Sequence, residues 1–140
     1  ELIKEVKNLL TIPVIVNGDI DSPQKAKQVY EQTGADGIMI GRAGQGQPWI
    51  FRDIAHYLKT SEILPSPTMD ELKEIVLSHL QEIYAFYGEY SGCRIARKHI
   101  AWYTSGIANS NAFRQAMYEE DTTTGQFNVV ARFLKTAEFD

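Results

Sequence analysis

The sequence holds one cysteine, Cys93, in 140 residues, so no internal disulfide can staple the fold and no cysteine cluster can bind a metal. A lone thiol fits a reducing compartment. The three histidines, His56, His79 and His99, lack H-E-x-x-H or Cys/His spacing, so no metal site is expected. No run of about eighteen uncharged apolar residues is present, which excludes an ordinary membrane-spanning helix. Positive charge is not in excess either: 14 Lys and Arg face 18 Asp and Glu, for a formal charge of -4. A generally basic, nucleic-acid-coating protein is thereby excluded, and any contact with a polyanion must come from a local patch. Gly41, Gly44 and Gly46 form neither G-x-G-x-x-G nor a Walker loop, and no G-x-S-x-G elbow supports a serine nucleophile. Internal repeats and low-complexity tracts are missing. The chain opens on Glu1-Leu2-Ile3-Lys4 without an initiator methionine or signal-like segment, and is expected to be a piece of something longer.

What is present is globular in character, with 44% apolar and 23% charged residues. Two textures meet near residue 60. Apolar residues at 2, 3, 6, 9 and 10 have helical spacing. Ile12-Pro13-Val14-Ile15-Val16 is a nearly continuous β-branched run, suited to a parallel strand covered on both faces, and it ends in Asn17-Gly18-Asp19. Ser22 and Pro23 predict a helix start and Gly34 its end. Gly37-Ile38-Met39-Ile40 reads as a second strand, followed by Gly41-Arg42-Ala43-Gly44 and a helix opened by Pro48. This is the βαβ grammar of a parallel sheet. Two parallel strands cannot stand alone, so the remaining strands are expected before Glu1.

Beyond a Pro-rich connector, Leu64-Pro65-Ser66-Pro67, the pattern becomes wholly helical. Thr68-Met69-Asp70-Glu71 has capping-box form, and Leu72, Ile75, Val76, Leu80, Ile83 and Tyr87 continue a helical stripe. Gly88 and Gly92 are expected to bracket a turn, with further helices over about Cys93 to Ser105, Ser110 to Glu120 and Gln126 to Ala137. Phe113, Met117, Phe127, Val130, Phe133 and Leu134 would form the core of a small bundle. Cys93 sits near the expected start of a helix, a place that can lower a thiol pKa, and reads as structural. The division is residues 1–60, a connector over 61–69 and a helical domain over 70–140.

Ligands of parallel sheets gather at the carboxyl ends of strands, which here carry Asn17, Gly18, Asp19, Gly41 and Arg42. Glycine lets backbone N-H groups approach a phosphate, and a following guanidinium neutralises its charge through forked hydrogen bonds. Asn17 and Asp19 suit the polar edge of a ring or a ribityl chain. A plainer reading stands beside this one, in which Gly18 belongs to a turn and Arg42 pairs with a surface carboxylate.

Charge is also segregated. Residues 90–118 hold Arg94, Arg97, Lys98 and Arg114 and no acid, inside an acidic half. Steps of three and four project Arg94, Arg97 and Lys98 from one side of a helix, with His99 beside them and solvent their expected surroundings. A phosphate backbone would relieve their mutual repulsion. The alternative is ordinary solubility charge paired with carboxylates of other helices, such as Glu74 or Glu82. Trp102 either closes the core or stacks on an exposed base.

Three runs carry a family likeness: Ile12 through Ile20, Thr33 through Phe51, and Arg94 through Tyr103. The G-R-A-x-Q-G-x-P-W-I-F pattern starting at Gly41 and the Arg97-Lys98-His99 segment are its strongest elements. Together they resemble the C-terminal part of bacterial tRNA-dihydrouridine synthases, closest to the B type. The resemblance implies a fold of α/β plus all-α class: the last two βα units of a TIM barrel, then a small helical bundle. It implies FMN as cofactor, with Asn17, Gly18 and Asp19 near the flavin and Gly41 and Arg42 at its phosphate. It also implies tRNA as partner of the Arg94, Arg97, Lys98 and His99 face, and NADPH-driven reduction of the uridine C5-C6 bond in the cytoplasm. The catalytic cysteine is expected in the part preceding Glu1, since Cys93 does not match it, so this piece alone should not turn over. The rivals are a noncatalytic RNA-binding or interaction module and an FMN barrel acting on a small molecule.

Overall fold

A computed structural model describes residues 2–139, which divide into two compact units, one up to Pro65 and one from Ser66 onward. In the first, α1 (Leu2–Leu9) precedes β1 (Ile15–Val16), α2 (Pro23–Thr33), β2 (Gly37–Ile38), a single 3-10 turn (Arg42–Gly44) and α3 (Ile50–Thr60). The signals at the ends of α2 act as expected. The Ser22 hydroxyl accepts the Lys25 N-H at 3.4 Å, Pro23 takes the first turn, and Gly34 ends the helix at φ 63° with its N-H donated to the Tyr30 carbonyl.

The two strands are parallel, with Ile15 opposite Gly37 and Val16 opposite Ile38. They are shorter than the apolar runs that announced them. Pro13 has no N-H to donate, so pairing ahead of Ile15 consists of the Asp36 N-H on the Val14 carbonyl, 2.9 Å. The Asp36 carboxylate accepts both the Lys7 ammonium and the Val14 N-H at 2.7 Å, tying α1 to the approach of both strands. The Lys7 hydrogen bond, aided by that of Val14, holds the Asp36 carboxyl below the usual carboxylate range. Ile20, Ala26, Ile50 and Ile54 form the buried core, with Val29, Ile38, Ile40 and Ala43 packed against it.

The second unit contains α4 (Met69–Tyr103), α5 (Ser110–Glu119) and α6 (Thr123–Thr136). A reciprocal capping box opens α4: the Thr68 hydroxyl accepts the Glu71 N-H and the Glu71 carboxylate accepts the Thr68 N-H. The helix is broken at Gly88, whose φ of 74° and ψ of -177° suit only a residue without a β-carbon. The expectation that Gly88 and Gly92 bracket a turn, with a helix beginning near Cys93, is corrected here. Gly88 alone makes the break, and Gly92 is buried inside the second arm, residues 89–103. A β-carbon on Gly92 would stand 3.2 Å from the Tyr84 Cα, so its bareness lets the two arms lie close together.

Leu72, Val76, Leu80, Ala96, Ile100, Met117, Val130 and Leu134 are buried between these helices, and the Phe113 and Phe133 rings stack with centroids 4.0 Å apart. Burying each large aliphatic side chain contributes about 1.5–3 kcal/mol. Helix α6 starts at Thr123, ahead of the expected Gln126, because Thr122 caps the Gly125 N-H and the Glu89 carboxylate accepts the Thr123 N-H and hydroxyl. Gln126 is thereby carried into the core. Its amide donates to the Cys93 carbonyl at 3.0 Å and accepts the Tyr84 hydroxyl at 2.8 Å.

Candidate functional site

The chain leaves β1 through Asn17, Gly18 and Asp19 and leaves β2 through Met39, Ile40 and Gly41. The Met39 N-H donates to the Val16 carbonyl at 2.8 Å, so the two exits start side by side. Parallel strands place both exits at one edge of the sheet. All five strand-end residues singled out from the sequence, Asn17, Gly18, Asp19, Gly41 and Arg42, line one cavity of about 650 Å³ together with Ile20, Asp21 and Ala43. A β-carbon at Gly41 would meet no atom within 4 Å, so the wall beside Arg42 is open.

One guanidinium nitrogen of Arg42 stands 2.6 Å from a carboxylate oxygen of Asp19, with the two side chains 84% and 83% exposed. An ion pair this open to water contributes at most about 1 kcal/mol, so it is a readily exchanged contact rather than a brace. The guanidinium keeps further N-H donors for an anion that displaces the carboxylate. A second cavity of about 540 Å³ is walled largely by Tyr30, Ile38, Ile40, Phe51, Ile54 and Leu58, with Lys27, Glu31 and Asp36 also lining it.

In the helical unit, the four residues expected on one cationic face separate. Arg94 and Lys98 are exposed. The Arg94 guanidinium lies over the Tyr90 ring, 4.3 Å from its centroid, and the Lys98 ammonium lies 6.0 Å from that of Trp102. Arg97 does not share that exposure. It turns toward the start of α6, donating to the Glu120 carbonyl at 3.0 Å and the Asp121 carboxylate at 3.2 Å. Its carboxylate partner is therefore Asp121, not Glu74 or Glu82. His99 is half-buried, edge-on to both His79 and Trp102 at centroid distances of 5.0 and 5.1 Å. The first arm of α4, folded back at Gly88, takes His99, and the approach to α6 takes Arg97; a lone helix would leave both in water.

Burial lowers the pKa of both His79 and His99, and for His99 the neighbouring His79 and Lys98 add to it. Tyr103, 2.9 Å from His79 Nδ1, is pushed up to about 12 by burial, so its phenol keeps its proton. Cys93 is not at a helix start. It is buried within the second arm, its thiol faces the Glu120 carbonyl at 3.4 Å, and burial pushes its pKa up against the opposing effect of Arg97. Tyr90 escaped the sequence reading, although the steps of four joining Tyr90, Arg94, Lys98 and Trp102 were there to be counted. Among the described residues no cluster of three or more His, Cys, Asp or Glu side chains could hold a metal, and no helix is long and apolar enough to cross a membrane.

Comparison with known proteins gives this pair of sites a context. The model of the dihydrouridine synthase (Dus) family matches residues 1–138. The chain belongs to the dihydrouridine synthase family. It is similar to tRNA-dihydrouridine synthase B of Pseudomonas aeruginosa, at 49% identity over 134 residues covering 96% of this chain and 40% of that protein. The corresponding protein of Xanthomonas axonopodis pv. citri is 50% identical over 124 residues, covering 89% of this chain and 37% of its own length. That of Vibrio vulnificus is 49% identical over 136 residues, 92% of this chain and 42% of its own. The chain thus spans about 40% of the length of these family members. The family match runs through both units, so the strand-end cavity and the helical hairpin are parts of one family sequence.

Proposed function

We propose that this chain is the C-terminal part of an FMN-dependent tRNA-dihydrouridine synthase. In this reading, residues 1–60 are the last two βα units of a TIM barrel, 61–69 a connector and 70–140 a tRNA-binding helical domain. The complete enzyme reduces the C5-C6 bond of uridine in tRNA in the cytoplasm with electrons from NADPH. The observation carrying this reading is the convergence of Asn17, Gly18, Asp19, Gly41 and Arg42 on one strand-end cavity. Its lining fits a phosphorylated flavin: an open approach at Gly41, a guanidinium with donors to spare, and the Asn17 amide and the acceptor carboxylate of Asp19 in the same cavity. Exposed Ile12, Ile15 and Met39, on and beside the two strands, are what a parallel sheet looks like where further strands belong.

FMN, when bound, supplies the two-electron chemistry that no side chain can. Gly41 and Arg42 would hold its phosphate, Arg42 exchanging its exposed contact with Asp19 for the phosphate oxygens. Asn17 and Asp19 would orient the polar edges of the flavin, and Gly18 keeps that loop free of side-chain bulk. On the helical domain Arg94 and Lys98 neutralise tRNA phosphates directly, while Arg97 and His99 hold the helix that presents them. The catalytic cysteine lies outside this chain.

Arg42→Ala in the full-length protein tests the cofactor assignment: the purified variant should carry much less FMN than wild type, and unchanged occupancy would remove Arg42 from the site. The Arg42–Asp19 pair favours one other reading, a noncatalytic RNA-binding module whose strand ends merely close on each other. That module would bind tRNA in a salt-sensitive way yet hold no flavin in full length.

A further inference from the structure

Three aromatic side chains flank the break in α4 and face water. Phe86 is 81% exposed, Tyr90 is 68% exposed, and Tyr87 between them is half exposed. Phe86 and Tyr87 meet edge to face at 4.8 Å, so they form a cluster rather than scattered surface residues. Apolar surface gathered in this way marks a place where something binds. Its chemistry is not that of a purely apolar groove. From Tyr90 the second arm of α4 continues in steps of four through Arg94, Lys98 and Trp102, and each cation lies over the ring next to it. Among the described residues neither Arg94 nor Lys98 is within salt-bridge distance of a carboxylate, whereas Arg97, on the adjoining side, is committed to Asp121. The ridge therefore reads ring, cation, cation, ring, over about 18 Å at 1.5 Å per residue.

We propose that this ridge is a platform for unpaired nucleobases, with Tyr90 stacking on one base and Arg94 and Lys98 taking the phosphates that follow. This rests on the reading of the protein as a tRNA enzyme and goes beyond it, because it assigns the helical domain a contact with a single-stranded, looped segment rather than with a duplex. Stacking needs a flat ring open to solvent, and Tyr90 is 68% exposed with Arg94 over its ring. It also needs a base that is not already stacked, which RNA supplies in loops and bulges. A ring followed by two cations suits one stacked base followed by the phosphates that lead away from it. Two cations without a carboxylate partner among the described residues favour a polyanion over an apolar protein segment as the occupant.

The test uses the full-length protein and two probes: whole tRNA, and a short single-stranded RNA carrying a fluorescent adenine analogue, with a duplex of the same length for comparison. Tyr90→Ala should weaken binding of both single-stranded and tRNA probes about tenfold and abolish quenching of the analogue, leaving duplex binding unchanged. Tyr90→Phe should restore both and Tyr90→Leu neither, since leucine keeps apolar bulk but has no π-face. Arg94→Ala should lower the slope of log affinity against log salt by about 0.7, the value for one phosphate on a single strand. Thermal unfolding of each variant separates lost contact from lost fold. If Tyr90→Ala binds tRNA as wild type does, or if Tyr90→Leu restores binding, the platform is overturned while the enzyme reading stands. If Tyr90→Ala instead lowers the unfolding temperature or the affinity for anionic vesicles, with RNA binding intact, the ridge docks another part of the chain or a membrane and the proposal is again overturned. If wild type binds no tRNA at all, the enzyme reading falls, and quenching of the single-stranded probe then decides the platform by itself.

Discussion

Arg42 and Asp19 meet at 2.6 Å across the open ends of two parallel strands, 23 residues apart in sequence and almost wholly in water. A pair so exposed holds little energy, so its partners are free to trade. Breaking it from opposite sides should therefore have unequal effects. Arg42→Ala in the full-length protein is expected to weaken FMN retention about tenfold or more, the size of a lost charge-assisted hydrogen bond. Asp19→Asn, which frees the guanidinium, should leave retention within about threefold of wild type. Flavin absorbance after extensive dialysis measures both, and equal losses from the two variants would make the pair structural.

Acid should weaken the helical unit through its two paired histidines. Both have pKa values below the ordinary imidazole value of 6.5, so the unfolded chain takes up protons there before the folded one does. Stability is fully present above that value and declines as the pH falls below it, until the folded histidines also protonate. Asp36 and Glu89, whose carboxyls are held low by bonds from Lys7 and Thr123, act in a separate window. Their stabilisation is intact above the ordinary values of 3.8 and 4.5 and is lost only on further acidification through their folded values. The unfolding temperature should therefore fall as the pH drops below about 6.5, and fall less steeply in His79→Asn. A curve of the same slope in that variant would contradict the assignment to His79.

Arg97 anchors, whereas Lys98 faces outward. Arg97→Ala removes donors to the Glu120 carbonyl and the Asp121 carboxylate and should destabilise the helical unit by about 1–2 kcal/mol, read by urea denaturation. Lys98→Ala should be neutral for stability within about 0.5 kcal/mol and should cost more tRNA affinity than Arg97→Ala when the two are compared at low temperature.

Gln126 joins three helices from inside the core. Its replacement by Ala strands the Tyr84 hydroxyl and leaves a void beside Met117, with an expected loss of about 2–4 kcal/mol. Gln126→Glu should be at least as damaging at neutral pH, because it puts a carboxylate where the amide donates to the Cys93 carbonyl. Equilibrium unfolding near pH 7 checks both.

Local chemistry made most of the scaffold legible. Ser22-Pro23, Gly34 and the Thr68–Glu71 box each act within a turn of their own position, and all are realised. The strand-end residues were legible too, because parallel topology brings Asn17 and Gly41 to one edge whatever the packing details. What escaped depends on the fold-back at Gly88. Arg94, Arg97 and Lys98 share one side of a helical wheel, with His99 beside them, until the first arm of α4 and the start of α6 occupy two sides of that helix. Gly92 reads as a turn residue until Tyr84 is seen pressed against it. Buried Gln126 has no signal in sequence, since its three partners come from three separate segments.

The dihydrouridine content of tRNA, measured by mass spectrometry in cells lacking the full-length gene and complemented with wild type or Arg42→Ala, tests the central claim most directly. Dihydrouridine should disappear from a subset of tRNA positions on deletion, return in full with wild type and return poorly with Arg42→Ala. Unaltered dihydrouridine in the deletion strain would contradict the assignment of this strand-end cavity and helical hairpin to a tRNA-reducing enzyme.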